Sequence, residues 1–366
     1  MRVLIAPDKF KGSLSGREVA EEIAAGIRDV LPNARIDLMP LADGGEGTAE
    51  AICQARGGKW VTCKAHDALG RTIEARYVWL CDSASAVMEM SEAAGLWRIS
   101  PDERDPLRAH TFGVGEMLLD AASRGATEIM IGLGGSATND GGFGLARSLG
   151  YRFIDSADKE LTNGPAELVK LNRILGTGDD VRSLPMVAAT DVRNPLLGLH
   201  GATRVFGPQK GATSEQLEVL ETALTRLGET VVRDLRVDFR AAPGAGAAGG
   251  LGFGLMSFCG ASLRLGFEVV AEAIGLRGAM SEADVVVTGE GRLDRQTLNG
   301  KAPAGVAQIA RSLGKPVFAI VGRVEEDRAV RELFDGVLEL DGPIPEARER
   351  LRQRARELAG EFGKMP

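Results

Sequence analysis

A chain of 366 residues exceeds the size at which one hydrophobic core keeps growing, so two domains are predicted. A formal charge of −7 supplies no basic field for nucleic acid or an anionic membrane surface, and 44% apolar with 26% charged residues is the balance of a globular protein. The four cysteines lack CxxC spacing and the three histidines are scattered, which indicates neither a zinc site nor a disulfide framework, while 48 glycines point to loops where backbone must approach something closely.

Val3 to Ala6 is an apolar run of strand length, followed by a polar loop and a helix opened by Ser15 with Glu18 three residues on, a capping box. Arg35 to Met39 reads as a second strand, and Thr48 to Arg56 as a second helix after the turn Asp43 to Gly47. The texture then changes: Lys59 to Cys63, Thr72 to Leu80 and Ala86 to Met90 read as strands joined by short turns rather than helices. Glu128 to Ile131 and Met186 to Ala189 are further strands, and Pro243 to Gly254 is biased enough in composition to be a flexible loop. Asp284 to Val287, Pro316 to Val321 and Gly336 to Leu340 resume the opening pattern, with a helix from Pro303 to Leu313. The order predicts an α/β protein of two lobes: a doubly wound parallel sheet built from both chain ends, residues 1–66 and 280–366, and an inserted α+β lobe, residues 67–279, with the active site in the interlobe cleft. The apolar run near Met1 is too short for a signal peptide and no run reaches the length of a membrane span, which predicts a cytoplasmic protein without nucleic-acid or membrane partners.

In open α/β sheets ligands bind beyond the carboxyl ends of the strands. Here those ends carry Asp8, Lys9, Lys11 and Ser13; Asp43 to Gly47; Gly132 to Gly142 (GLGGSATNDGG); Thr190 and Asp191; and Thr288 to Thr297 (TGEGRLDRQT). Any one such end is the composition of a turn or helix cap. Five together describe a polyanion and metal site. Backbone N–H groups bared by glycines cradle phosphate oxygens, carboxylates hold Mg²⁺, lysines neutralise charge and one carboxylate orients an attacking hydroxyl. Asp43, Glu46, Glu290 and Asp294 are the candidate oxygen ligands, each equally readable as a solvated loop acid. GxxxxGK[ST] is absent, which excludes a P-loop enzyme, and GxGxxG at Gly244, Gly246 and Gly249 has no strand leading into it. A rival reading stays open: GLGGSA, Gly132 to Ala137, followed by Asp155 at the end of the apolar run Tyr151 to Ile154, satisfies in outline the fingerprint of an NAD(P)-dependent oxidoreductase. A non-catalytic small-molecule sensor is the third reading; like the second, it leaves the acids without a role.

The motifs APDKFKGSLS (6–15), PLADGGEGT (40–48), EMSEAAGL (89–96), IGLGGSATNDGG (131–142), ATDVRNPL (189–196), FGPQKGA (206–212), PGAGAAGGLG (243–252) and TGEGRLDRQTLNGKAP (288–303) together resemble the bacterial type-1 glycerate kinases. The resemblance implies a flavodoxin-like lobe with a restriction-enzyme-like insert, and transfer of phosphate from ATP, with Mg²⁺, to the 2-hydroxyl of D-glycerate; the chain is expected to be a monomer or homodimer. Glycerate carries a carboxylate and two hydroxyls, so it needs a cation and a hydrogen-bond acceptor. Arg71, Arg193 and Lys301 are the available cations, although Arg71 in Asp67–Arg71 also fits a hairpin turn. Asp43 and Glu46 join them on the substrate side, with Glu290 and Asp294 left for the metal. Asp191 and Lys9 are expected to act in catalysis, while Gly134, Gly135, Ser136, Thr138, Asn139 and Lys210 are expected around the ATP phosphates. The chain departs from its relatives' usual pattern at His110, Val114 and Arg323.

Overall fold

The computed structural model describes residues 1–10, 12–176, 182–293, 302–325, 328–340 and 346–362. Lys11, Asp294 and Lys301, named above as site candidates, lie outside the described residues. The fold is mixed α/β and divides into two compact units, Met1–Asp43 with Glu50–Arg56 and Leu265–Pro366, and Gly44–Ala49 with Gly57–Arg264.

The first unit holds strands β1 (Arg2–Ile5), β2 (Arg35–Leu38), β11 (Val285–Leu293), β12 (Val317–Val324) and β13 (Gly336–Glu339). All four pairings are parallel, and the spatial order is β2-β1-β11-β12-β13. Renumbered along this unit the order is 2-1-3-4-5, the flavodoxin-like doubly wound arrangement, whose switch point lies between β1 and β11. Helix Gly16–Val30 starts where the capping box predicts: the Ser15 hydroxyl accepts from the Glu18 N–H while the Glu18 carboxylate accepts from the Ser15 N–H. Its inner face, Val19, Ala20, Ile23, Ala24 and Ile27, is fully buried. Helix Ala347–Phe362 packs on it so tightly that a Cβ on Gly26 would lie 2.3 Å from the Arg352 carbonyl oxygen. Gly26→Ala is therefore expected to destabilise this unit by about 1–3 kcal/mol, the usual cost of overpacking, seen as a lower urea midpoint.

β11 runs to Leu293, well beyond the Asp284 to Val287 expected, because its pairing with β12 continues through Gly289↔Ile320 and Glu290↔Val321 to Leu293↔Val324. The stretch Thr288 to Leu293 is thus strand rather than loop. Its glycines answer a close approach, since a Cβ on Gly289 would meet the Ile320 carbonyl oxygen at 2.4 Å.

The second unit carries a six-stranded mixed sheet in the order β10-β9-β6-β5-β4-β3. β3 (Lys59–His66), β4 (Thr72–Leu80) and β5 (Ser85–Glu89) are antiparallel neighbours joined by tight turns, as read from the sequence. β5, β6 (Glu128–Gly132), β9 (Met186–Ala189) and β10 (Ser262–Arg264) are parallel. The seams between units differ from 66/67 and 279/280: β3 pairs with β4 over its whole length, so it belongs to the second unit, and residues 265–282 belong to the first. β7 (Arg152–Asp155) and β8 (Leu171–Leu175) form a separate antiparallel pair.

Pro243 to Gly254 is not a flexible surface loop. Gly244 to Gly254 is buried, and Ala248, Gly249 and Gly250 turn through left-handed backbone, packed against the Thr138–Gly142 segment. Among the described residues no helix is long and apolar enough to cross a membrane.

Candidate active site

In the second unit the parallel strands deliver their carboxyl ends to one edge of the sheet. The Met90 N–H donates to the Gly132 carbonyl at 3.0 Å and the Leu133 N–H to the Ala189 carbonyl at 3.0 Å, so Glu89, the Gly132–Gly142 loop and Thr190–Asp191 emerge side by side. Two glycine-rich turns then pack backbone on backbone. A Cβ on Gly132 would stand 2.4 Å from the Gly44 carbonyl oxygen, and one on Gly134 2.4 Å from the Gly45 Cα. Glu89 holds the second turn, accepting from the N–H groups of Gly47 and Ala49, both at 3.0 Å. Glu89 is a positioning group that sequence reasoning missed; its signal was an acid ending an otherwise apolar strand.

The tip of the loop offers donors. Gly135 has φ 71, the left-handed conformation that turns successive N–H groups toward one point. The N–H groups of Gly134, Gly135 and Ser136 donate to no acceptor among the described residues, whereas the Gly135 carbonyl accepts from Leu96 and the next N–H, that of Ala137, donates to Ala94. The loop is thus pinned on one side and bare on the other. Glu46, exposed, reaches over Gly135, its Oε1 2.7 Å from where a Cβ would stand.

Asp191 follows a fixed stretch of backbone: the Thr190 N–H donates to the Arg264 carbonyl at 3.0 Å and the Thr190 hydroxyl accepts from the Val192 N–H at 3.2 Å. Asp191 is half-buried and Arg193 exposed.

Three expected phosphate contacts lie instead beneath the loop surface. Thr138 and Asn139 are fully buried, and Lys210 is 1% exposed with its Nζ donating to the Thr138 carbonyl at 2.5 Å. All three are thus buried under the loop rather than presented on its surface. Asp140, also fully buried, accepts from the Thr111 N–H and hydroxyl, both at 2.8 Å, and from the Gly142 and Gly144 N–H groups. His110 stands beside it; burial lowers its pKa, and the Asp140 charge opposes that shift. Val114 is a core residue, fully buried, and Arg323 is exposed on β12.

In the first unit the switch point brings together Asp8, Lys9, Thr288 and Glu290. The Asp8 N–H donates to the Gly289 carbonyl at 2.8 Å, and the Thr288 hydroxyl to the Ala6 carbonyl at 2.7 Å. Asp8 and Glu290 are 8% and 6% exposed. The Lys9 Nζ stands 3.5 Å from Asp43 Oδ1. The donors here are carboxylate and hydroxyl oxygens, which suit a hard cation. Among the described residues no group of three His, Cys, Asp or Glu side chains is placed to hold a metal ion.

Arg71 sits in the β3–β4 turn, where its guanidinium bonds the buried Asp67 and, at 2.9 Å, Glu103; Asp67 Oδ1 also accepts the Leu69 and Arg71 N–H groups. This is the hairpin-turn geometry. The dinucleotide reading fails on topology: the Gly132–Ala137 run does not open a helix, since the next one is Phe143–Ser148, and Asp155 ends a strand outside the parallel sheet. Asp155 Oδ1 instead accepts the Ala157 and Lys159 N–H groups of its own turn.

The glycerate kinase family model matches residues 3–362. The chain is 40% identical over 370 residues to a glycerate kinase of Bacillus subtilis, covering 98% of this chain and 97% of that one. It is 43% identical over 336 residues to a glycerate 2-kinase of Escherichia coli, covering 90% and 87%. A crystal structure titled as a putative glycerate kinase 2 from Salmonella typhimurium LT2 superposes with a TM-score of 0.88 at 42% identity, covering 100% of this chain and 98% of that one.

Proposed function

The chain belongs to the glycerate kinase family, and on that premise we propose that it transfers the γ-phosphoryl group of ATP, with Mg²⁺, to the 2-hydroxyl of D-glycerate, giving 2-phosphoglycerate and ADP. The observation that carries the nucleotide half of this reading is the run of unengaged N–H groups at Gly134, Gly135 and Ser136 on a turn whose other face is pinned. Such a run is a polyphosphate cradle, and its donors are already oriented before a ligand arrives. The 43% identity to a relative named glycerate 2-kinase supports the choice of hydroxyl.

Phosphoryl transfer passes through a loose transition state, so the protein contributes alignment and charge rather than covalent chemistry. In this reading Asp191 accepts the hydrogen bond of the acceptor hydroxyl and aims its oxygen along the line of displacement. As the new P–O bond forms and the bond to the ADP oxygen breaks, the hydroxyl proton passes to Asp191 or to solvent. Lys9 offsets negative charge on the transferring group, and Arg193 and Lys301 are the cations assigned to the glycerate carboxylate, with Asp43 and Glu46 as acceptors for its second hydroxyl. Arg71 is given no substrate role in this reading, because its guanidinium already pairs with Asp67 and Glu103. Glu290 and Asp294 would hold Mg²⁺, which supplies charge neutralisation at the phosphates.

Phosphorus NMR of a mixture of the protein, ATP, Mg²⁺ and D-glycerate tests the reading. The expected products are ADP and 2-phosphoglycerate, with turnover abolished by EDTA. A 3-phosphoglycerate resonance would overturn the assigned hydroxyl, and ligand binding without product would favour the non-catalytic sensor.

A further inference from the structure

Lys210 is a buried charge that phosphoryl transfer does not require. It ends the turn Pro208–Lys210, which Gly211 closes at φ 91. The carbonyl it serves is gripped from two sides: Nζ donates to the Thr138 oxygen at 2.5 Å, and a Cβ on Gly249 would lie 1.9 Å from that same oxygen. Among the described residues the opposite charge acting on Lys210 is Asp140, which His110 and Arg147 face in turn. Arg104 runs along the flank of the turn, its Cβ 3.2 Å from where a Gly211 Cβ would stand.

A lone buried ammonium costs the fold stability, and an apolar side chain of similar length would remove that cost. Burial pulls the Lys210 pKa down to about 7, against the opposing pull of Asp140. What the side chain provides in return is one hydrogen bond, and that bond fixes the peptide two residues beyond Ser136. On the other flank the loop is tied by the Ala137 N–H to Ala94.

We propose that Lys210 is a positioning residue for the nucleotide loop: its Nζ sets the Thr138–Asn139 peptide, and through it the turn that aims the Gly134, Gly135 and Ser136 N–H groups at the polyphosphate. The inference rests on the nucleotide reading given above. The structural cost and the functional gain separate in experiment. Since the folded pKa lies below the ordinary 10.5, the unfolded chain binds the extra proton between about pH 7 and 10.5, so Lys210 makes stability rise with pH across that window; below pH 7 its cost is fully present.

Lys210→Met is expected to melt within a few degrees of wild type at pH 7, or higher, and to lack this component of the rise in Tm toward pH 9.5. Its kcat/KM for Mg·ATP is expected to fall about 10- to 100-fold, with the KM for glycerate close to wild type. Wild-type kinetics in the variant, or a loss of activity that tracks a loss of Tm, would overturn the positioning role. Should the variant not fold, the Lys210 ε-carbon resonance of the wild type serves: it is expected to shift on saturation with Mg·ATP, and an unmoved resonance would count against the proposal. Calorimetric titration of wild type with Mg·ATP separates the two claims. Absence of binding there removes the nucleotide reading itself, whereas wild-type binding with an unaffected variant removes only Lys210.

Discussion

Asp191→Asn is expected to lower kcat by a factor of about 10² or more while leaving the KM for ATP nearly unchanged. The substitution keeps the shape of the side chain and removes its charge and its ability to take a proton. The backbone that carries it stays fixed, because Thr190 is tied to Arg264 by its N–H and to Val192 by its hydroxyl. Loss of a base that aligns the acceptor hydroxyl therefore appears in the chemical step rather than in nucleotide binding. Initial rates at saturating and limiting ATP separate the two. A variant with near-normal turnover would remove Asp191 from the mechanism.

Gly134→Ala is expected to lower kcat/KM for ATP by about 10²-fold or more, a loss of roughly 3 kcal/mol of transition-state stabilisation. The added methyl would lie 2.4 Å from the Gly45 Cα, and backbone cannot yield as the end of a long side chain would. The two glycine turns must part, which moves the Gly134–Ser136 donors away from the geometry that converging phosphate oxygens need. The same strain costs the fold about 1–3 kcal/mol. The activity measurement belongs at a temperature where the melting curve shows the variant fully folded. Kinetics equal to wild type would mean that the loop tolerates displacement and that its N–H groups do not hold the substrate.

The architecture was legible wherever local signals and tertiary demands agree. The capping box at Ser15 and Glu18, the helix Thr48–Arg56 and the strand Thr72–Leu80 fall where the sequence puts them. Reading failed where glycine serves packing as well as, or instead of, turning. Thr288 to Leu293 has the composition of a loop, yet its glycines let β11 pass close to β12; Pro243 to Gly254 has the composition of a linker, yet from Gly244 on it is buried against Thr138–Gly142. Both errors follow from using glycine only as punctuation when its other property, the missing Cβ, was in use too.

The site divided along the same line. The places of Asp191 and the Gly134–Ser136 tip, just beyond the carboxyl ends of β9 and β6, were legible from the strand pattern, and parallel sheets present ligand groups at such ends. Burial was not legible at Lys210, Thr138 and Asn139, since a lysine between glycines reads as a surface charge until the third dimension places it under a loop. Arg71 illustrates the converse. Its spacing from Asp67 already described a hairpin turn, and its partners there leave the guanidinium engaged.

Hydrogen exchange over the Gly132–Gly142 segment, measured by mass spectrometry with and without Mg·ATP, reads the donors directly. The N–H groups of Gly134, Gly135 and Ser136, which find no acceptor among the described residues, are expected to exchange fast in the free protein and to become strongly protected at saturating nucleotide. Protection elsewhere in the chain with this segment unchanged would contradict the assignment of the loop as the phosphate cradle.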